Sequence, residues 1–347
     1  MNTSEITLLI PTKNRHLFLS RLIQYYKQTK FSGNLIILDA SDGTNLESNK
    51  NLLLRDYYFK INHVIEVKRP MKAICDNLHL IKTKFSTLCN DDDLLITEAL
   101  GQSQGFLINN DHYSACWGLG RKVWTKFDDP FGYIIEERAY NHDLKYNDNL
   151  ELFMNLSKIG TYDIIYALHY SHNYVKIMNF VKQFKSERFQ AIGMNLKAAI
   201  IEKIKLMNNL YLIRQNHSIS KAYYYGQPSP KSDFVYERDF TEERTNNIHW
   251  LSTESFSDDL RKMINLLSID VHKTTNLSQN ESKIFIENAF VRYFHLVFMK
   301  NEKELNSNVK SLTKRKKYIK NRFSLNYFKS KKKKRMIKDD LFLSLKS

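Results

Sequence analysis

Three consecutive aspartates, Asp91, Asp92 and Asp93, follow Asn90 at the end of a short apolar run. A second apolar run begins directly after them, at Leu94. Carboxylates this close together repel one another unless a cation offsets their charge. Oxygen ligands favour hard ions such as Mg²⁺ or Mn²⁺, which substrate phosphates often share. The stretch therefore predicts a metal and phosphate site. The alternative is a solvated turn whose aspartates cap a helix.

Two further polar clusters follow apolar runs nearer the N-terminus, at residues 11–15 and 39–42. In the first, Thr12 and Asn14 are expected to cap a helix whose N-terminus attracts anions, while Arg15 supplies charge suited to phosphate. In the second, the carboxylate of Asp39 is suited to accept hydrogen bonds from a base or a ribose hydroxyl. Each cluster alone is also explained by an ordinary turn. Taken together with the aspartates, they predict a nucleotide-diphosphate site.

The elements that must position these clusters alternate between strands and helices. Helical spacing of apolar residues predicts helices at 17–26, 71–82 and 97–107. Short β-rich runs predict strands at residues 6–10, 34–38, 63–67, 85–89, 113–117 and 164–168. This alternation predicts an α/β fold with a mostly parallel sheet and helices on both faces. The three polar clusters would then meet at the carboxyl edge of the sheet, where ligands bind.

The second half of the chain is predicted to be mainly helical. An amphipathic helical pattern runs over residues 176–212, and further helices are predicted at 257–267 and 281–299. Residues 227–230 are Gln-Pro-Ser-Pro, which is typical of a linker. We therefore expect a first domain at 1–227, a helical extension at 228–309 and a basic tail at 310–347.

The charge of the chain is concentrated at its C-terminus. The formal net charge is +16, and residues 310–347 contain 15 Lys and Arg against two Asp. This basic tail also contains apolar residues, so it is suited to bind an anionic membrane surface; the alternative is a solvated, disordered segment. Binding of nucleic acid is disfavoured, because the charge is appended to the fold instead of forming a groove in it.

Cysteine usage and hydropathy indicate a reducing compartment. Cys75, Cys89 and Cys116 lack zinc-site spacing and are expected to be buried free thiols. The N-terminus has no basic signal-peptide region, and no apolar run approaches the ~20 residues that cross a bilayer. We expect a cytoplasmic protein; peripheral association with the inner face of the membrane is the alternative that the basic tail leaves open.

The three clusters resemble those of a known family. Residues 6–15 are similar to the opening strand and loop of family 2-type glycosyltransferases with the GT-A fold, and residues 38–42 lie where these enzymes carry a nucleoside-binding acid. Residues 89–100 resemble their DxD segment and the helix after it. The resemblance covers residues 5–120. It extends to about 225 through a subgroup of bacterial surface-glycan transferases, whose Leu-Tyr-x-x-Arg-Gln-like element is similar to residues 206–217.

The resemblance implies a Rossmann-like GT-A domain with a nucleotide-sugar half at about 1–120 and an acceptor half at about 121–227. The DxD motif falls either on residues 90–92 or on residues 91–93. Mn²⁺ or Mg²⁺ would be held by Asp92 and Asp93, with His217 as a further ligand. A surface helix end is the alternative for residues 214–217. The implied nucleotide-sugar-binding residues are Pro11, Thr12, Asn14, Arg15, Asp39, Ser41, Asp91 and Arg214.

Inverting transfer also needs a general base that takes the proton of the acceptor hydroxyl. The family supplies an acid after the DxD motif, often at a helix start, which points to Glu187. Asp148 and Glu151 are rivals, and Glu187 is also explained as a solvated helix acid. His169 and His172 are suited to contact acceptor or diphosphate; the alternative is a histidine satisfied inside the protein.

The resemblance implies a metal-assisted, inverting glycosyltransferase of cell-surface polysaccharide synthesis. Its donor is expected to be a UDP-sugar, and its acceptor a glycan, a lipid-linked sugar or a protein. A sugar-phosphate nucleotidyltransferase is the alternative enzyme, disfavoured because no Gly-rich phosphate loop follows the first strand. The non-enzymatic alternative is a nucleic-acid-binding protein that uses the basic tail.

Overall fold

The computed structural model describes residues 2–126, 129–140, 146, 148–159, 163–215 and 254–305. Its strands are β1 Ile6–Thr12, β2 Asn34–Asp39, β3 Lys60–Ile65, β4 Phe85–Leu88, β5 Asp93–Leu95, β6 Ala115–Thr125, β7 Ile134–Tyr140, β8 Leu168–Tyr170 and β9 Ile204–Gln215. Its helices are α1 His16–Gln28, α2 Gly43–Leu53, α3 Pro70–Asp76, α4 Thr97–Asn109, α5 Asn149–Ile159, α6 Ser171–Val181, α7 Glu187–Ile201, α8 Glu254–Thr274 and α9 Gln279–Leu305.

All of these strands belong to one mixed sheet. Their order is β3-β2-β1-β4-β8-β6-β9-β5, and β7 pairs with the outer part of β6. The strands β3, β2, β1 and β4 are mutually parallel, whereas β8, β7 and β5 run antiparallel to their neighbours. Nearly every residue of β1, β2 and β4 is buried, which requires cover on both faces of the sheet. The predicted α/β class is confirmed.

The loop between β1 and α1 differs from the expected helix cap. Asn14 adopts a φ of 52°, a left-handed conformation that Asn tolerates better than most side chains. α1 starts after Arg15, and no side chain caps its first turn. Thr12 and Asn14 instead bond to the loops after β4 and β2. The prediction that these two residues cap α1 was therefore wrong.

The pairing of β6 with β9 explains why two predicted boundaries were wrong: the end of the strand at 113–117 and the extent of the helical region at 176–212. β6 continues through Gly118, where the sequence predicted an end, since a Cβ at Gly118 would lie 2.5 Å from the Cβ of Tyr211 and glycine permits this approach of β9. The helical pattern at 176–212 breaks into α6, α7 and β9. β9 is a strand because it pairs in parallel with β6 and antiparallel with β5. Backbone pairing with two neighbours overrides the local helical spacing.

Three shorter elements also differ from expectation. The helix predicted at 71–82 is α3 followed by a 3₁₀ turn, Leu78–Leu80. The strand predicted at 164–168 is a 3₁₀ turn, Asp163–Tyr166, with β8 directly after it. The aspartates lead into the short strand β5 before α4 begins.

The predicted C-terminal helices are present as α8 and α9. The described residues up to 293 form one compact unit that includes α8, and the described residues from 294 on belong to a second unit. In the first unit, Asp270 of α8 lies 2.5 Å from the Nζ of Lys197 on α7. The predicted linker at 227–230 and the basic tail at 310–347 lie outside the described residues. None of the described helices is long and apolar enough to cross a membrane.

The cysteines are buried free thiols, as expected. Burial raises the pKa of Cys89 to about 12 and that of Cys116 likewise to about 12. A thiol with so high a pKa is protonated at neutral pH and is a poor nucleophile or metal ligand.

Candidate active site

The carboxyl ends of β1, β2 and β4 bring the three polar clusters to one edge of the sheet. Thr12 is the register partner of Asp39 on the parallel strands β1 and β2. The hydroxyl of Thr12 also donates a 2.7 Å hydrogen bond to Oδ2 of Asp91, in the loop after β4. The predicted convergence of the first and third clusters is therefore a direct contact.

Arg15 links the loop after β1 to the loop after β4 through ion pairs. Its guanidinium lies 2.7 Å from Oδ1 of Asp91 and 2.8 Å from Oδ2 of Asp92. Its Cζ stands 4.5 Å from the centre of the Phe18 ring, which limits its freedom on the other side. One planar cation thus spans two of the three aspartates, a geometry that a lysine ammonium does not reproduce.

The carboxylate of Asp39 is completely buried at the end of β2. It accepts hydrogen bonds from the backbone N–H of Ser41 and the amide of Asn49, both at 2.9 Å, and its Oδ2 lies 3.0 Å from Nε2 of His63. Burial alone would raise the pKa of Asp39, but the contacts with His63, Ser41 and Asn49 outweigh it and leave the pKa below its ordinary value. Asp39 therefore remains ionised and organises this pocket.

Ser41 connects the Asp39 pocket to the loop after β1. The backbone N–H of Asn14 donates a 2.7 Å hydrogen bond to the Ser41 hydroxyl, and the side-chain oxygen of Asn14 accepts one from the N–H of Asp42. The predicted residues at this edge lie at the ends of β1 and β2 or in the loops after β1, β2 and β4; they are Pro11, Thr12, Asn14, Arg15, Asp39, Ser41 and Asp91. Asn49 and His63 were missed, because neither belongs to a motif.

Asp93 is buried in a different environment from Asp91 and Asp92. Its Oδ2 accepts hydrogen bonds from the Tyr166 hydroxyl at 2.5 Å and from the Asn90 amide at 3.3 Å, and it lies 3.6 Å from Nε of Arg214. Burial first and then the charge of Asp92 raise the pKa of Asp93 to about 7, although Arg214, Tyr166 and Asn90 oppose this. Asp93 is thus the aspartate that titrates near neutrality.

Arg214 reaches this site through strand pairing. It is the register partner of Asp93 on β9 and β5, and its Cζ lies 5.3 Å from the centre of the Tyr166 ring. The surface-helix alternative for this residue is wrong, because residues up to Gln215 are in β9. His217 lies outside the described residues.

Arg21 is a site residue that the sequence did not predict. From α1, its guanidinium donates hydrogen bonds to the backbone oxygen of Asp92 at 2.7 Å, to that of Pro130 at 3.1 Å, and to the side-chain oxygen of Gln215. Burial lowers its pKa, while Asp92, Asp93 and Asp91 oppose that effect. Nothing in the local sequence distinguishes Arg21 from an ordinary helix arginine.

Glu187 is the first residue of α7, and its side chain is buried. Its Oε1 lies 3.8 Å from Nε of Arg69, which precedes α3 in the segment that follows the carboxyl end of β3. Asp259 of α8 fixes the helix start, because its carboxylate accepts hydrogen bonds from the N–H groups of Lys185 and Ser186. The solvated-acid alternative for Glu187 is therefore wrong.

One of the rivals of Glu187 has a structural role. Asp148 accepts a 2.8 Å hydrogen bond from the N–H of Glu151 at the start of α5. Nδ1 of His169 lies 2.6 Å from the Glu202 carboxylate, and both side chains are buried. His169 is thus paired with Glu202 inside the protein through Nδ1, whereas His172 is exposed in the first turn of α6.

The aspartates fit a divalent ion only in a limited way. Asp91 has both carboxylate oxygens engaged, by Thr12 and Arg15, whereas Asp92 is the most accessible of the three with 14% of its side chain exposed. Within the described ranges, no group of three or more His, Cys, Asp or Glu is arranged to hold a metal. Mg²⁺ at phosphate sites typically uses one or two carboxylates plus substrate oxygens. Asp92 is the accessible carboxylate for that smaller role, and Asp93 follows it directly in the chain.

Comparison with solved structures places this arrangement in a known fold. The crystal structure of residues 1–349 of S. aureus TarS matches with a TM-score of 0.54 over 92% of this chain and 78% of that chain, at 12% sequence identity. The predicted GT-A fold is confirmed. No protein-family model and no curated protein sequence matches the chain.

Two further TarS structures share the GT-A fold with this chain and contain ligands. The complex of TarS with UDP-GlcNAc matches with a TM-score of 0.53, covering 90% of this chain and 78% of that chain, at 12% identity. The complex with UDP matches with a TM-score of 0.52, covering 92% and 78%, also at 12% identity. At this identity the similarity is one of fold.

Proposed function

We propose that this protein is a glycosyltransferase that moves a sugar from a nucleotide-diphosphate sugar to a glycan, lipid-linked or protein acceptor. The observation that carries the proposal is the bonded convergence of Thr12, Arg15 and Asp91 beside the Asp39 pocket. A GT-A fold similar to structures with UDP-GlcNAc and UDP supports a UDP-sugar as the donor. Cell-surface polysaccharide or glycoconjugate synthesis is the process we infer.

The donor would bind along the carboxyl edge of the sheet, from the Asp39 pocket to the arginines beside the aspartates. The Asp39 pocket, with Ser41 and Asn14, supplies a fixed carboxylate and backbone groups beside the nucleoside. Arg15 and Arg214 supply guanidinium groups for the diphosphate, each already held beside an aspartate. Cations fixed in this way stabilise the negative charge that develops on the leaving diphosphate without reorganising.

A divalent ion is part of the proposal. Mn²⁺ or Mg²⁺ would be held by Asp92 and Asp93 together with the diphosphate, and it would neutralise charge on the leaving group. The sole role proposed for Asp91 is to orient Thr12 and Arg15, because both of its oxygens are engaged by them.

Glu187 is the general base that we propose for an inverting reaction. A carboxylate at a helix start is held in one orientation, and Asp259 anchors the backbone before it. Its task is to take the proton of the attacking acceptor hydroxyl. The guanidinium of Arg69, 3.8 Å away, is a cation beside this carboxylate.

The test is thermal unfolding with UDP, GDP, CDP and dTDP, each with and without Mn²⁺. We expect UDP to stabilise the protein most. A ligand at 100 times its Kd adds about 2.7 kcal/mol to the free energy of unfolding, which a thermal unfolding experiment detects. Asp92→Ala should lose the Mn²⁺-dependent part of this effect, and Asp111→Ala, at a fully exposed acid, should keep it. The proposal fails if no nucleoside diphosphate stabilises the wild-type protein.

A further inference from the structure

The turn between β6 and β7 exposes a small apolar patch near the active site. Phe131 is 56% exposed, Tyr133 64% and Ile134 56%. Single exposed apolar residues are common on protein surfaces, but adjacent ones that form a patch mark a binding surface.

Hydrogen bonds hold residues 129–133, which carry the two aromatic side chains of the patch. The N–H of Phe131 donates to the Asp129 carboxylate at 2.8 Å, the N–H of Gly132 donates to the Asp129 carbonyl at 3.1 Å, and the N–H of Lys126 donates to the Tyr133 carbonyl at 3.0 Å. A Cβ at residue 132 would lie 2.8 Å from the Lys126 carbonyl oxygen, so the turn needs glycine there. Nζ of Lys126 stands 5.2 Å from the centre of the Tyr133 ring. Aromatic groups held this way lose little entropy when they bind a ligand.

Arg21 ties this turn to the aspartate loop. One guanidinium donates to the carbonyl of Pro130, inside the turn, and to the carbonyl of Asp92. Gln215 supports the link, because its amide donates to the Thr125 hydroxyl at the end of β6 while its oxygen accepts from Arg21. The aromatic patch therefore has a fixed place next to the residues proposed to bind the diphosphate.

We propose that the turn at residues 129–134 is the acceptor subsite and that it takes a sugar ring by stacking on Phe131 or Tyr133. This inference rests on the proposed function. A pyranose presents an apolar C–H face, which suits an aromatic ring, and a rim of hydroxyls that carboxylates bind. Asp129 supplies such a carboxylate within the turn, where it also accepts the N–H of Phe131.

The proposal is tested with the double variant Phe131→Ala/Tyr133→Ala in the full-length protein. Tyr58→Ala is the matched control, because Tyr58 is 72% exposed and precedes β3 at the opposite edge of the sheet. Fluorescently labelled proteins are applied to a printed array of bacterial glycans in the presence of UDP. Stabilisation by UDP is measured on the same samples, which shows that each variant is folded.

We expect the array signal of the double variant to be at least tenfold lower than that of the wild type, and the signal of the control to be unchanged. Stabilisation by UDP should be unchanged in both variants. The proposal is overturned if the wild type binds no glycan or if the double variant binds as well as the wild type. It is also overturned if the double variant keeps glycan binding and loses only its binding to phosphatidylglycerol vesicles. Absent stabilisation by UDP in the wild type would instead refute the proposed function.

Discussion

Asp93 and Arg214 lie directly opposite each other on the antiparallel strands β5 and β9, and their side chains are 3.6 Å apart. The cation beside the third aspartate is thus fixed by backbone pairing and not by a loop. The two motifs that the residues belong to are distant in sequence, so this pairing is what joins them into one site.

The titration of Asp93 predicts an unusual dependence of stability on pH. Its pKa is raised to about 7, so the folded state binds the proton more tightly than the unfolded state does. The free energy of unfolding should therefore fall as the pH rises from about 4 to about 7, and this group should add no further change above that range. Asp93→Asn removes the effect. Its stability relative to wild type should increase between pH 5 and pH 8 by on the order of 2–4 kcal/mol.

Urea denaturation at pH 5, 6, 7 and 8 measures this difference. The control is the variant Asp111→Asn, because the side chain of Asp111 is fully exposed. Its free energy of unfolding should depend on pH as that of the wild type does. A difference between Asp93→Asn and the wild type that does not change with pH would contradict the raised pKa.

Replacing Arg15 by lysine should weaken donor binding although the charge is kept. The lysine ammonium cannot bridge the carboxylates of Asp91 and Asp92 as the planar guanidinium does. We expect the Kd for UDP, measured by calorimetry, to rise about tenfold, which corresponds to roughly 1.4 kcal/mol. Arg55→Lys makes the same chemical change at an exposed residue after α2 and should leave the Kd unchanged. Equal affinities of Arg15→Lys and wild type would remove Arg15 from the donor site.

Glu187→Gln should abolish transfer without weakening donor binding. A general base contributes roughly 10²- to 10⁴-fold to the rate, and glutamine keeps the size of the side chain but cannot accept the proton. The measurement is UDP release from the best donor of the panel in the presence of acceptor, alongside the Kd for UDP. Glu151→Gln and Asp148→Asn should retain transfer. If one of them is inactive while Glu187→Gln is active, the base has been assigned to the wrong residue.

Removing residues 310–347 separates the roles of the basic tail from those of the fold. We expect binding to anionic vesicles to be lost and stabilisation by UDP to be unchanged, because the donor-site residues all precede the tail. The vesicles contain phosphatidylglycerol, and phosphatidylcholine vesicles are the control. If duplex DNA binds the full chain with steep salt dependence and UDP does not stabilise it, the nucleic-acid alternative is favoured.

The polar clusters at the strand ends could be predicted because each is recognised from a short, continuous stretch of sequence. A β-rich run followed by Thr12 and Arg15, by Asp39, or by three aspartates marks the carboxyl end of a strand. Parallel pairing then brings such ends to one edge of the sheet. The confirmed elements of the first hundred residues follow from this pattern together with helical periodicity.

The second half of the site could not be predicted in the same way. β9 has apolar spacing compatible with a helix, and it is a strand only because β6 and β5 flank it. Tyr166 and Arg21 contact the aspartates from a 3₁₀ turn and from α1, and no motif surrounds either residue. Contacts between residues far apart in sequence depend on the packing of the whole sheet.

The sequence by itself thus determined which residues gather at the carboxyl edge of β1, β2 and β4, since residue order and strand direction decide that. Only the tertiary structure decided how the three aspartates differ. Asp91 is bound through both of its oxygens, Asp92 is the most accessible, and Asp93 is buried with a raised pKa. The physical reason is that burial and neighbouring charges set the state of a carboxylate, and both are properties of the folded protein.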